Sequence, residues 1–168
     1  MKFVNGFEKS DLGPLISEKA IKKIKNHIDD ALSKGGEILI GGKKSKIGKL
    51  FFEPTIVTNI NKSMKIFSNE NFGPIIPVIK FKSDDELIQL ANDTNYGLAA
   101  YFYTKKASRV WKIIENLEYG MLGINSGKIS SYLNPFGGLK ESGVGREGSI
   151  QCLEPFLETK FVSWSYDD

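Results

Sequence analysis

Residues 83–125, SDDELIQLANDTNYGLAAYFYTKKASRVWKIIENLEYGMLGIN, decide the fold. Ser83 followed three residues later by Glu86 reads as a capping box, opening a helix that runs to about Asp93 and buries Leu87, Leu90 and Ala91. Leu98–Tyr103 (LAAYFY) is a continuous apolar run, the pattern of a strand in a sheet covered on both faces. Lys105–Leu117 places Val110, Ile113, Ile114 and Leu117 at helical spacing, and Gly120–Asn125 (GMLGIN) is a second short strand. Helices alternating with strands predict an α/β fold with a largely parallel sheet flanked by helices.

The flanks continue this pattern. Ser17 is an N-cap for a helix carrying Ile21, Ile24, Ile28 and Leu32 on one stripe, ended by Gly35 and Gly36. Glu37–Ile40 is a short strand closed by Gly41 and Gly42, and a basic loop follows over Lys43–Lys49. Phe51–Ile60 (FFEPTIVTNI) reads as extended, and Ile75–Phe81 is a strand whose Pro77 argues for an edge. Ser126–Gly148 is a long glycine-rich loop. Phe156–Tyr166 (FLETKFVSWSY) ends in an alternating strand. No repeat, linker or low-complexity segment interrupts the chain.

Composition excludes several classes. At 168 residues, with 40% hydrophobic and 26% charged residues, the chain is globular and long enough to bury a core. No apolar run is long enough to span a bilayer. Met1–Gly13 (MKFVNGFEKSDLG) lacks the apolar core of a secretory leader. The single Cys152 fits a reducing compartment, so a cytoplasmic location is expected. A net charge of +3, scattered along the chain, does not suggest nucleic acid.

The chemistry-bearing residues say little one by one. Gly143–Gly148 matches G-x-G-x-x-G, but Leu139–Ser142 before it is not a buried strand, so a close-packed loop is the better reading. One His and one Cys, far apart, make no metal site. His27 falls on the polar side of its helix and is expected to be solvated. Cys152 has no basic cluster beside it and reads as a small apolar filler. Ser142 lacks a nucleophile elbow. Three islands are richer: Asn69–Pro74 (NENFGP), Asn134–Gly138 (NPFGG) and Glu141–Glu147 (ESGVGRE). Each joins a carboxylate or aromatic to glycines that let backbone approach closely. Two readings stay open: a loop that holds a sugar's hydroxyls against a ring, or a turn with a capping Glu and a buried Phe.

Taken together, in order, these islands resemble the C-terminal part of the aldehyde dehydrogenase superfamily. FFEPTIVTNI, NENFGPIIPVIKF, LANDTNYGLAAYFYT, YGMLGINSGKISS, NPFGGLKESGVGREGS, the LETKFV tail and LGPLISEKAIKKIKNHIDDALSKG all fit in register. The G-I-N-x-G-x-I-S-S stretch and ANDTNYGLAAYFYT are most similar to the succinate-semialdehyde branch. The family oxidises an aldehyde to an acid with NAD or NADP. A cysteine thiolate attacks the carbonyl, hydride passes to the nicotinamide, and a glutamate-activated water hydrolyses the thioester.

The resemblance implies roles by position. Glu70 would bond the nicotinamide-side ribose and Phe72 would pack beside it. Phe136 would line the aldehyde pocket, and Ser130 would donate to the substrate's distal carboxylate. Glu147 would be a buried glutamate in a proton relay, and Arg146 a structural arginine in a salt bridge or subunit contact. The G-Q-x-C nucleophile motif is absent from this sequence. The general base, the cofactor domain and the two carboxylate-clamping arginines belong upstream of the matching region. The chain therefore corresponds to roughly the last third of such an enzyme and is expected to be inactive alone, with NAD or NADP bound only in the complete enzyme. Residues 1–155 would be a partial catalytic domain and 156–168 a strand for self-association. A separate N-terminal chain completing the enzyme, or a non-catalytic assembly module, are the alternatives. Asn69, Asn71 and Lys128 depart from the family pattern.

Overall fold

The computed structural model describes residues 11–166, so most of the leader stretch considered above lies outside the described residues. The chain divides into two compact units, residues 1–80 and 81–168.

The first unit is built on α1 (Glu18–Ser33). Ser17 Oγ accepts from the Ala20 N–H at 3.2 Å, as an N-cap should. The helix closes in a Schellman turn: Gly36 N–H donates to Ala31 O and Gly35 N–H to Leu32 O, with Gly35 at φ +91. Its inner stripe is Ile21, Ile24, His27, Ile28 and Ala31. Leu32, expected on that stripe, is exposed, because the burial phase steps from Ile28 to Ala31 instead. The stripe packs on Phe52, Val57, Ile60, Met64, Ile66 and Ile75.

Beneath it lies a sheet ordered β1 (Glu37–Ile40), β2 (Thr55–Thr58), β3 (Ile75–Pro77). β1 runs antiparallel to β2, while β2 and β3 are parallel. Pro77 thus sits on the outer strand of this sheet, where its missing donor is tolerated. The register sets Ile40, Ile56 and Ile76 in one row on the face turned away from Val57. Ile40 and Ile76 are each 58% exposed. A single helical turn, α2 (Lys65–Ser68), precedes β3. Its Lys65 N–H is capped by Asp30 Oδ2 at 2.8 Å.

The second unit contains α3 (Asp84–Asn92), β4 (Tyr96–Gly97), β5 (Ala99–Phe102), α4 (Ala107–Asn116), β6 (Met121–Ile124), β7 (Leu139–Lys140) and a 3-10 helix, Ile150–Phe156. Ser83 Oγ accepts from Glu86 N–H, and Glu86 Oε2 accepts from Lys82 N–H, one residue earlier than a strict capping box. Leu87, Leu90 and Ala91 are half-buried, short of the burial expected from the sequence. α3 and α4 are tied by Arg109–Asp84 and Lys112–Asp85 ion pairs, both at 2.7 Å. The Arg109 guanidinium holds the Asp84 carboxyl below its ordinary range.

β5 and β6 pair in parallel, Ala99 with Met121 through Phe102 with Ile124. β5 was expected to be covered on both faces. Tyr101 and the flanking Leu98 and Tyr103 are exposed instead, in a ribbon of only two strands among the described residues. The expected tail strand is also absent: residues 157–166 join no ladder and are exposed, although Trp164 and Tyr166 stack at 5.2 Å as alternate residues of an extended chain do. A strand is defined by its partner, and none of the described residues pairs with this segment. The fold is therefore mixed α/β with both parallel and antiparallel pairings.

Candidate functional site

Each unit carries candidate functional residues of its own. In the first, α2 and β3 hold the loop Asn69–Pro74 between them. Glu70 is exposed, with Lys23 Nζ 3.9 Å from its carboxylate. Phe72 adopts φ +44, a left-handed conformation that costs a non-glycine residue energy, and the residue is 79% exposed. The loop leaves through Pro74, whose carbonyl accepts from Thr55 N–H at 2.8 Å. It presents an acceptor carboxylate and an aromatic face two residues apart, a pairing that suits ribose hydroxyls and a flat ring.

His27 overturns an expectation. It is 4% exposed rather than solvated, and Nδ1 lies 2.8 Å from Asn71 Oδ1. His27 is three residues after Ile24 and four before Ala31, so it sits on the inner stripe. Its polar character suggested the opposite face.

In the second unit, the long loop folds back on itself. Phe136 and Glu147 exchange backbone hydrogen bonds at 2.8 and 2.7 Å, and Ser149 N–H donates to Tyr132 O. Gly120 and Gly137 make the fold-back possible. A Cβ on Gly120 would stand 2.1 Å from the Gly137 carbonyl oxygen. An open groove of about 500 Å³ results, lined by Met121, Lys128, Ser130, Asn134 and Phe136 among others. Ser130 and Phe136, singled out separately in the sequence, thus share one groove, and Lys128 joins them. Phe136 also borders a second groove of about 540 Å³ with Arg146, Glu147, Cys152 and Phe156.

The surroundings of two residues differ here from those the resemblance implies. Glu147 is exposed, not buried, because only its backbone is engaged, in the ladder to Phe136. Arg146 donates to Gly138 O at 3.0 Å and Gly145 O at 2.7 Å, stitching the loop through carbonyls rather than a carboxylate. Gly143, Gly145 and Gly148 all have positive φ and lie between a two-residue strand and a 3-10 helix containing Pro155. The strand and α-helix that a dinucleotide fingerprint needs are missing, as expected, but the loop is open rather than close-packed: a Cβ on Gly143 or Gly145 would meet nothing within 4 Å, and Val144 between them is fully exposed. Among the described residues no His/Cys/Asp/Glu group could hold a metal, and no helix is long and apolar enough to cross a membrane.

The sequence profile described as "Aldehyde dehydrogenase family" matches residues 1–162. The chain belongs to the aldehyde dehydrogenase family. One relative within it is the succinate semialdehyde dehydrogenase of Acinetobacter baylyi, 49% identical over 163 residues, which cover 96% of this chain and 34% of the relative. The crystal structure of an aldehyde dehydrogenase from Brucella melitensis biovar abortus superposes with TM-score 0.94 at 49% identity, over 100% of this chain and 35% of that one. Betaine aldehyde dehydrogenase from Staphylococcus aureus, solved in complex with NAD+, matches with TM-score 0.87 at 38% identity, over 95% and 32%. The chain spans about a third of the length of the curated relatives it matches. Aldehyde dehydrogenases use NAD or NADP, and this chain is similar to their succinate-semialdehyde branch.

Proposed function

We propose that this chain is the C-terminal third of an NAD(P)-dependent dehydrogenase that oxidises succinate semialdehyde, or a close analogue with a distal anion, to the acid. The observation that carries this reading is the shared groove of Ser130, Phe136 and Lys128. A hydroxyl donor and an ammonium beside an aromatic wall suit a short aldehyde with an anionic end. Ser130 would donate to the distal carboxylate, Lys128 would supply charge to it, and Phe136 would exclude water from the carbonyl end. Bound NAD(P) supplies the hydride acceptor. Glu70 would orient its ribose by accepting from the hydroxyls, and Phe72 would cover the ring. Glu147 would pass a proton once it is covered.

No G-Q-x-C motif occurs in the sequence, so the chain by itself is expected to produce no NADH. The nucleophile and base would come from an upstream segment, on the same polypeptide or a separate one. Residues 156–168 would form the subunit-contact strand. Their exposed Phe156, Phe161, Val162, Trp164 and Tyr166 support self-association through this tail.

The test is a graft of this chain in place of the matching third of the Acinetobacter baylyi enzyme. Turnover of succinate semialdehyde is expected from the graft and not from the chain alone. Ser130→Ala should raise KM for the semialdehyde about tenfold or more, the weight of one hydrogen bond to a charged group, and leave KM for a neutral aldehyde unchanged. Equal effects on both substrates would refute the role of Ser130. NADH from the isolated chain, surviving Cys152→Ser, would refute the division of labour.

A further inference from the structure

The loop Asn69–Pro74 is seated on α1 by three neighbouring contacts. Lys23 reaches the Glu70 carboxylate at 3.9 Å. Gly73 lies so close to Ile24 that a Cβ there would stand 2.1 Å from its Cδ1. Between them, His27 meets Asn71 at 2.8 Å. Lys23, Ile24 and His27 lie within about one helical turn, so one patch of α1 grips the whole loop.

The middle contact has a defined direction. Asn71 Nδ2 donates to Ile66 O at 3.3 Å, which fixes the amide and leaves Oδ1 as an acceptor. The proton of the bond therefore sits on His27 Nδ1. Asn71 stands between Glu70 and Phe72, and Phe72 is held at φ +44. A conformation of that kind persists only where the surroundings over-determine it. A buried histidine aimed at the preceding side chain provides that constraint.

We propose that His27 is a positioning residue for the cofactor loop: its Nδ1–H holds Asn71 and so fixes Glu70 and Phe72 in the pose that meets the nicotinamide-side ribose. The lock stands on this geometry alone, while its purpose rests on the reading of Glu70 and Phe72 given above.

Three variants separate the bond from packing. His27→Asn keeps a donor near the Nδ1 position, His27→Gln moves it to the Nε2 position, and His27→Leu keeps apolar bulk alone. In the ¹⁵N-labelled chain, long-range proton–nitrogen spectra should show His27 as the Nδ1–H tautomer. Amide order parameters at Glu70, Asn71 and Phe72 should fall from about 0.85 to below about 0.6 in His27→Leu and His27→Gln, and recover in His27→Asn. An Nε2–H tautomer, an unchanged loop in His27→Leu, or equal rescue by Asn and Gln would overturn the lock. In the grafted enzyme, His27→Leu should slow single-turnover hydride transfer about tenfold, with rescue by His27→Asn. If Glu70→Gln slows that step and His27→Leu does not, the positioning role fails while the cofactor reading stands. If Glu70→Gln leaves it unchanged, the cofactor reading fails, and the purpose assigned to His27 fails with it.

Discussion

Replacing Thr55 by Val should destabilise the first unit by about 2 kcal/mol. Thr55 is 1% exposed. Its Oγ1 donates to Glu53 O at 2.7 Å and accepts from Gly42 N–H at 2.8 Å. Valine fills the same space, so packing is nearly unchanged, but both bonds go and the Gly42 N–H is left unpaired. Each bond is worth about 0.5–1.5 kcal/mol net, and a stranded buried group costs about 1–3 kcal/mol. The added apolar methyl offsets part of this, up to about 0.8 kcal/mol. With a urea slope of about 1–3 kcal/mol per molar, the midpoint should fall by about 1 M. Trp111 and Trp164 both lie in the second unit, so tryptophan fluorescence is blind to this change. The Ile24 and Ile28 amide resonances of α1 report it. Thr58→Val is the control, because the exposed Thr58 hydroxyl reaches Glu37 O only at 3.4 Å. That variant should stay within about 0.5 kcal/mol of the parent. A Thr55→Val midpoint within about 0.2 M of the parent, or an equal shift in Thr58→Val, would refute the reasoning. Valine retains the backbone bond from residue 55 to Pro74, so the Glu70–Phe72 loop should keep its pose.

Burial pushes the Tyr119 phenol up from its ordinary value of 10.0. A group raised in the folded state contributes stability that is complete below its unfolded value and is lost as pH climbs through the folded one, so this contribution should fade above about pH 10. Ultraviolet titration should find one tyrosine ionising after the rest, and Ala91 O loses its donor at 2.6 Å as it does so. Gly120→Ala should cost the second unit about 1–3 kcal/mol through its clash with Gly137, as read by Trp111 fluorescence in urea. A variant folding as well as the parent would show that the fold-back has room to move. Ending the chain at Pro155 should abolish self-association in sedimentation velocity. Unchanged oligomers would take that role away from the tail.

What the sequence disclosed was local. Ser17, Ser83 and the Gly35–Gly36 pair specify helix ends through their own side chains and dihedrals, and each occurs where expected. The order of helices and strands was legible for the same reason. The glycine islands were readable as sites of close approach, but which backbones meet there was not, since Gly120 and Gly137 come together only after a long loop folds back. His27 was misplaced because its partner Asn71 is 44 positions away, and polarity alone suggested solvent. Its spacing from Ile24 and Ala31 was the available clue. The two-sided cover expected at Leu98–Tyr103 and the ladder expected at Phe156–Tyr166 are not formed among the described residues. Cover and ladder are both supplied by neighbouring segments, which a run's own pattern does not specify. Ser130 and Phe136 were legible as residues, while Lys128 gained meaning only when the groove placed it beside them.

The isoleucine row across β1, β2 and β3 bears on how this protein behaves in a test tube. Two exposed branched side chains, Ile40 and Ile76, flank the half-buried Ile56 in one row set by strand register, and form an apolar strip on this face of the sheet. Sulfate and phosphate strengthen such contacts, while the modest net charge of +3 resists them weakly. The chain should therefore salt out early and show an attractive second virial coefficient. Ile76→Lys should weaken both, leaving the buried face of the sheet untouched.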